Sequence, residues 1–185
     1  MPLRNTAERW GTPSIALHWV TALAVLGLLV VGFTMDSLPN TPFKRDVYLL
    51  HKSLGLTVGG LTVLRLLWRW LQPTPALPDG TSRVQRLAAT AGHAGLYALL
   101  LAMPTSGLLY NWASNFATPW FGTTVMARAG QVDRELKAIS GEVHEIAGLA
   151  LAALLLAHAG AAFWHHYRLR DRVLWRMAPW IRPPA

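Results

Sequence analysis

The sequence predicts an all-α fold, a bundle of four transmembrane helices with both termini in the cytoplasm. Apolar residues make up 52% of the 185 and charged residues only 14%, about half the charge of an average soluble domain. The apolar residues gather into four runs of roughly 20 residues or more, the length that crosses a hydrocarbon layer. Proline- and glycine-rich breakers separate these runs. A chain of this length makes one domain, spanning 1–185.

The first run covers about 14–35. Arg4 and Arg9 precede it, but it contains His18 and Trp19 and extends to Met35, so it reads as an uncleaved first helix rather than a short signal. Asp36 to Pro42 interrupts the pattern before the second run, about 47–71. The segment from Gln72 through Asp79 to Gly80 carries Pro73, Pro75 and Pro78 and separates off the third run, about 87–112. Pro104 is the only proline inside a span and predicts at most a kink. The third connection, about 113–140, contains Pro119, Trp120, Phe121 and Gly122, then a polar stretch at 131–139 that reads as a short surface helix. Connections of that length are often functional. The fourth run covers about 141–167.

Orientation follows from the basic residues. Arg4, Arg9, Arg65, Arg69, Arg83, Arg86, Arg168, Arg170, Arg172, Arg176 and Arg182 fall on the side of the termini. Lys44, Arg45, Lys52, Arg128, Arg134 and Lys137 fall on the other. Eleven against six places the termini in the cytoplasm by the positive-inside rule. The same rule accounts for the net charge of +8 and removes the argument for a nucleic-acid partner; the partner is membrane lipid.

There are no cysteines, which excludes disulfides, thiolate metal sites, iron–sulfur clusters and covalent haem attachment. Candidate ligands are therefore the seven histidines. His18 lies about one turn into the first span and His51 about one turn into the second, on opposite sides of the membrane. His144 and His158 lie on the fourth span, fourteen residues apart. That is nearly four turns, so their rings share a face and stand roughly 21 Å apart along the axis. His144 matches the depth of His51, and His158 that of His18. Two cross-helix pairs follow, His51 with His144 and His18 with His158.

Facing histidines across a bundle are how a b-type haem is held through its iron. Four residues beyond each of them stand Ala22, Gly55, Gly148 and Ala162, all small enough to leave room for a porphyrin on the same helix face. A single intramembrane histidine is more often a hydrogen-bonding residue between helices, and small residues also serve helix packing, as Gly55 and Gly59 would in a GxxxG pattern. Two depth-matched pairs favour haem, because isolated polar groups in lipid are costly. His93, with bulky Tyr97 four residues on, is open between a propionate, a quinone and another helix. His165 and His166 read as interfacial, with Trp164 and Tyr167 in the aromatic belt. Arg65 and Arg69 are accessory candidates for propionates of the cytoplasmic-side haem, against lipid phosphate as the alternative. Lys52 is a similar candidate for the outer haem. No catalytic residue is assigned.

The chain resembles the bacterial cytochrome b561 family. The resemblance runs over nearly its whole length. It is carried by Pro13 to Trp19 around His18, by His51, Lys52 and Gly55, by Leu64 to Arg69 with Pro73 and Pro75, by Gly92 and His93, by Met103, Pro104 and Gly107, by Pro119 to Gly122, by His144, Glu145 and His158, and by the tail from His165 through Asp171 and Arg176 to Pro179. It implies a di-haem, quinone-linked cytochrome of the bacterial inner membrane, with His18 and His158 ligating the cytoplasmic-side iron and His51 and His144 the outer one. It also implies two haem b, ubiquinone as substrate and, as in one class of members, superoxide oxidation at the outer face. The outer cations could steer an anion there, but Asp36, Asp46, Asp133, Glu135, Glu142 and Glu145 balance them. Two other functions stay open at this point. A haem-b anchor subunit of a membrane dehydrogenase or hydrogenase would bring docking segments, of which the sequence has little. A histidine-relay transporter would bring inverted repeats or paired broken helices, and none is visible.

Overall fold

The computed structural model describes residues 2–78 and 80–183; Asp79, in the predicted breaker, lies outside the described residues. Four long helices form: α1 (Thr12–Thr34), α2 (Pro42–Leu71), α3 (Arg83–Ala113) and α4 (Arg134–Trp164). Each is long and apolar enough to cross a membrane. Their large apolar side chains point outward: Leu23, Leu26, Val30 and Phe33 of α1 are 54–65% exposed. This inverts the pattern of a soluble bundle and suits a lipid surround.

The helices extend past the hydropathic runs. α2 starts at Pro42, a proline in the first turn, where its missing N–H costs nothing. α3 starts under a capping box in which Ser82 and Gln85 satisfy each other's backbone N–H groups. α4 starts at Arg134, with Asp133 capping Leu136 N. The polar stretch at 131–139 is therefore not a separate surface helix: from Arg134 onward it is the first turns of α4. Hydropathy marks where lipid begins, whereas a helix continues wherever propensity and capping sustain it, and Glu135, Leu136, Lys137 and Ala138 are good helix formers.

The third connection holds a β-hairpin, β1 (Thr118–Trp120) with β2 (Thr123–Met126), which the hydropathy pattern does not indicate. Its two-residue turn is Phe121-Gly122, with φ of +45° and +90°, the positive angles that tight hairpins need. The hairpin is fastened to α2 through Trp120 Nε1 donating to Thr57 Oγ1 (3.0 Å) and Phe121 N–H donating to Ser53 Oγ (3.0 Å).

At the other end of the bundle the N-terminal segment, the 72–82 linker and the C-terminal tail meet. Asn5 is buried and accepts from Gly11 N (2.8 Å) and Ser14 Oγ (2.7 Å), while its amide donates to Pro73 O (3.1 Å). Gly11 is dictated by this crossing, since a Cβ there would lie 2.7 Å from Leu3 O. After α4 the chain makes a π-helical turn, His165–Leu169, then a left-handed residue, Arg170 (φ +52°), and the short α5 (Val173–Met177). Trp19 Nε1 donates to Met177 O at 2.6 Å, which folds the tail under α1. Replacing Asn5 by Ala strands several of these partners at once. We expect a destabilisation of about 2 kcal/mol, read as a lower Tm in detergent.

Mid-bundle, Val25, Val58, Leu96, Leu100 and Leu151 form the buried core. Gly59 lets α2 and α3 touch there: a Cβ on it would stand 3.1 Å from the Pro104 ring. Of the two glycines in the GxxxG pattern, Gly59 serves packing. Gly55 faces open space and lines a cavity.

Candidate haem-binding site

The predicted histidine pairs meet. The rings of His51 and His144 have centres 6.4 Å apart, and those of His18 and His158 6.2 Å apart. Leu151 of the aliphatic core lies seven residues from each α4 histidine, so the core separates the two pairs along the bundle axis.

At the hairpin end a cavity of about 720 Å³ is lined by His51, His144, Gly32, Gly55, Gly107 and Gly148, among others. That volume lies within the range of cofactor and ligand sites. Gly55 and Gly148 are two of the small residues the histidine spacing singles out. Spacing alone does not point to Gly32 or Gly107, although Gly107 belongs to the motifs of the resemblance. A Cβ on Gly32 would stand 3.3 Å from His51 Cε1, and one on Gly107 3.2 Å from His144 Cε1. Each ring thus packs against a glycine of a neighbouring helix. The sequence signal for such positions is a glycine at ligand depth on a helix that carries no ligand of that pair.

Hydrogen bonding fixes the tautomer of His144. Its Nδ1 lies 3.0 Å from Met103 O and 3.0 Å from Ser106 Oγ. A carbonyl only accepts, so Nδ1 carries the proton and Nε2 keeps its lone pair, the arrangement of a metal-ligating histidine. His51 Nδ1 is buried with no hydrogen-bond partner.

The opposite end is built differently. His18 Nδ1 lies 3.0 Å from Arg65 Nη2. A guanidinium only donates, so here Nδ1 is the acceptor. His93 joins this cluster, its ring centre 5.6 Å from that of His158. Tyr97 lies under Arg65 and Arg69, at 5.4 and 6.0 Å from its ring centre. The bulk that counts against a cofactor beside Tyr97 thus serves as a platform for two arginines. His165 Nδ1 lies 2.5 Å from Asp171 Oδ2. His166 stacks edge-on with Tyr167, ring centres 4.8 Å apart.

Four spanning helices carrying two cross-bundle histidine pairs define a polytopic membrane protein of the b-cytochrome type. Comparison with known proteins agrees. Residues 9–180 match the family model of the prokaryotic cytochrome b561. The chain is 34% identical over 183 residues to cytochrome b561 homolog 2 of Escherichia coli K12, covering 96% of this chain and 95% of that one. It is 32% identical over 170 residues to cytochrome b562 of Cereibacter sphaeroides, covering 88% and 90%. It is 26% identical over 176 residues to the probable superoxide oxidase CybB of Yersinia pestis, covering 93% and 97%. The chain belongs to the prokaryotic cytochrome b561 family, and it is a multi-pass haem-b cytochrome of the bacterial inner membrane.

Proposed function

We propose that the chain binds two haem b, one between His51 and His144 and one between His18 and His158, and carries electrons across the membrane to or from the quinone pool. The observation that carries this reading is the ring separation. A metal–imidazole bond of about 2 Å on each side, plus about 1.1 Å from nitrogen to ring centre, would hold two rings that share one metal about 6.2 Å apart. The pairs stand at 6.4 and 6.2 Å. The cavity beside the first pair, the ring-facing glycines and the free Nε2 of His144 support the same fit. His93, with its ring centre 5.6 Å from that of His158, departs further from that spacing than His18 does.

When bound, the haems would supply reversible one-electron chemistry, and ligation by two histidines would favour electron transfer over oxygen binding. The chain's own residues hold the rings, set the local charge and keep water out. The arginine excess at the terminal end orients that end toward the cytoplasm and the hairpin toward the periplasm. For His18 to present Nε2 as a ligand, Arg65 must leave Nδ1. A propionate carboxylate would be a better acceptor for that guanidinium. Arg65→Leu is therefore expected to weaken retention of the terminal-end haem about tenfold and leave the other in place, measured by haem content after dilution and gel filtration.

The Yersinia pestis relative is named for superoxide oxidation. Brought to this chain, that activity balances as two superoxide anions giving two dioxygen and two electrons, which with two protons reduce one ubiquinone to ubiquinol. At the hairpin end Lys52 lines the cavity, and Lys137 stands 5.7 Å from the ring centre of Tyr110, which also lines it. Asp36 and Glu145 share that lining, and Asp36 is engaged by Tyr48. A superoxide pulse in a stopped-flow cell is expected to reduce the holoprotein's haem within milliseconds, with added quinone reoxidising it. Haem that stays oxidised would remove the superoxide reading and leave the quinone-linked carrier.

A further inference from the structure

Lys52 follows a proposed ligand directly and lies inside a spanning helix, half-buried, with its side chain turned to the cavity. Its ammonium donates to Asn111 Oδ1 at 2.6 Å and stands 5.6 Å from the centre of the Phe116 ring. No carboxylate among the described residues pairs with it. A cation kept in an apolar span without a counter-ion is costly, and a neutral amide oxygen compensates it only in part.

Asn111 is 3% exposed and uses its amide group in a second direction. Its Nδ2 donates to Thr118 Oγ1 (2.7 Å), with Phe116 O and Ala117 O at 3.2 and 3.3 Å. Those acceptors lead into and begin β1. One buried side chain thus ties α3 both to the hairpin and to the ammonium of α2. Apart from the two histidines, the cavity's polar lining is Asp36, Tyr48, Lys52, Asn111, Thr118 and Glu145, with Asp36 engaged by Tyr48, while Val25, Val58, Leu100 and Leu151 line it toward the core. A haem has the same polarity: an apolar macrocycle with two carboxylates on one edge.

We infer that Lys52 is the counter-ion for a propionate carboxylate in the hairpin-end site, and that Asn111 is the positioning residue that aims it, making the hairpin a determinant of that site's electron affinity. This rests on the two-haem reading above. Asn111 places the ammonium by accepting from it, and the hairpin places Asn111. A fixed positive charge stabilises the reduced state, which carries one more negative charge, so its loss lowers the potential. For unit charges at an effective dielectric near 20, the reduced-to-oxidised ratio at fixed poise changes about three- to tenfold, tenfold being about 59 mV for one electron.

The test is an optical redox titration of the detergent-purified holoprotein, with resonance Raman of the propionate bending modes. Wild-type haem content is measured first: fewer than two per chain overturns the underlying reading itself. With two present, Lys52→Met is expected to lower the potential of one haem by that factor, shift its propionate modes and leave the other haem unmoved. Lys52→Arg should restore most of the shift. Asn111→Ala should lower the same potential, and the double variant should go no lower than Lys52→Met alone, because Asn111 acts through the lysine. Unmoved potentials in Lys52→Met, or equal shifts of both haems, overturn the inference while leaving two-haem binding intact. Fully additive shifts in the double variant overturn the positioning role of Asn111.

Discussion

His144→Ala is expected to take the purified protein from two haems per chain to one, measured as pyridine haemochrome against protein. His144 brings three things that alanine cannot: the Nε2 proposed to hold the iron, a tautomer fixed by the Met103 carbonyl, and a ring seated 6.4 Å from its partner. Losing it would leave His51 as the one proposed ligand beside a partly buried cavity of about 720 Å³. The site at the other end, built from His18 and His158 beyond the aliphatic core, should keep its haem and its low-spin spectrum. His158→Ala should do the converse. Loss of both haems from either variant would mean that the pairs do not act independently. Retention of both would remove the assigned residue from ligation.

Gly107→Val is expected to do nearly as much damage without touching a ligand. A Cβ at Gly107 would already stand 3.2 Å from His144 Cε1 and 3.4 Å from its Nδ1, and valine adds two methyl groups. The ring would have to turn away from Met103 O and Ser106 Oγ, giving up the contacts that hold it. Disturbing such supporting contacts costs about 10- to 100-fold in metal affinity. The expected readout is a haem content approaching one per chain, with the helical circular dichroism unchanged. Gly60→Val is the control and should retain both haems, because a Cβ at Gly60 would meet nothing within 4 Å.

Most of the bundle is legible in the sequence because lipid imposes a simple rule: span length, helical hydrogen bonding and breakers between spans suffice. The histidine pairs are legible for the same reason, since antiparallel spans turn position along the chain into depth. Helix starts are not, because capping by Ser82 or Asp133 acts outside the apolar runs. The hairpin escapes a sequence reading because two of its anchors, Ser53 and Thr57, belong to a helix distant in sequence. Asn111 and Ser106 look like ordinary polar residues near a helix end, and only their partners show what they hold. What a glycine faces is set by three-dimensional packing: Gly107 is pressed against the ring of His144 and Gly59 against that of Pro104.

The aliphatic layer of Val25, Val58, Leu96, Leu100 and Leu151 has a consequence for bioenergetics. These side chains offer no donor or acceptor, so a proton hopping along hydrogen-bonded groups finds no foothold among them. An electron tunnelling between the two histidine pairs needs none. The membrane protein would therefore be a rectifier by particle type, passing electrons while insulating against proton leak. Each transfer would move one unit of charge through part of the membrane field, so the reaction would respond to membrane voltage.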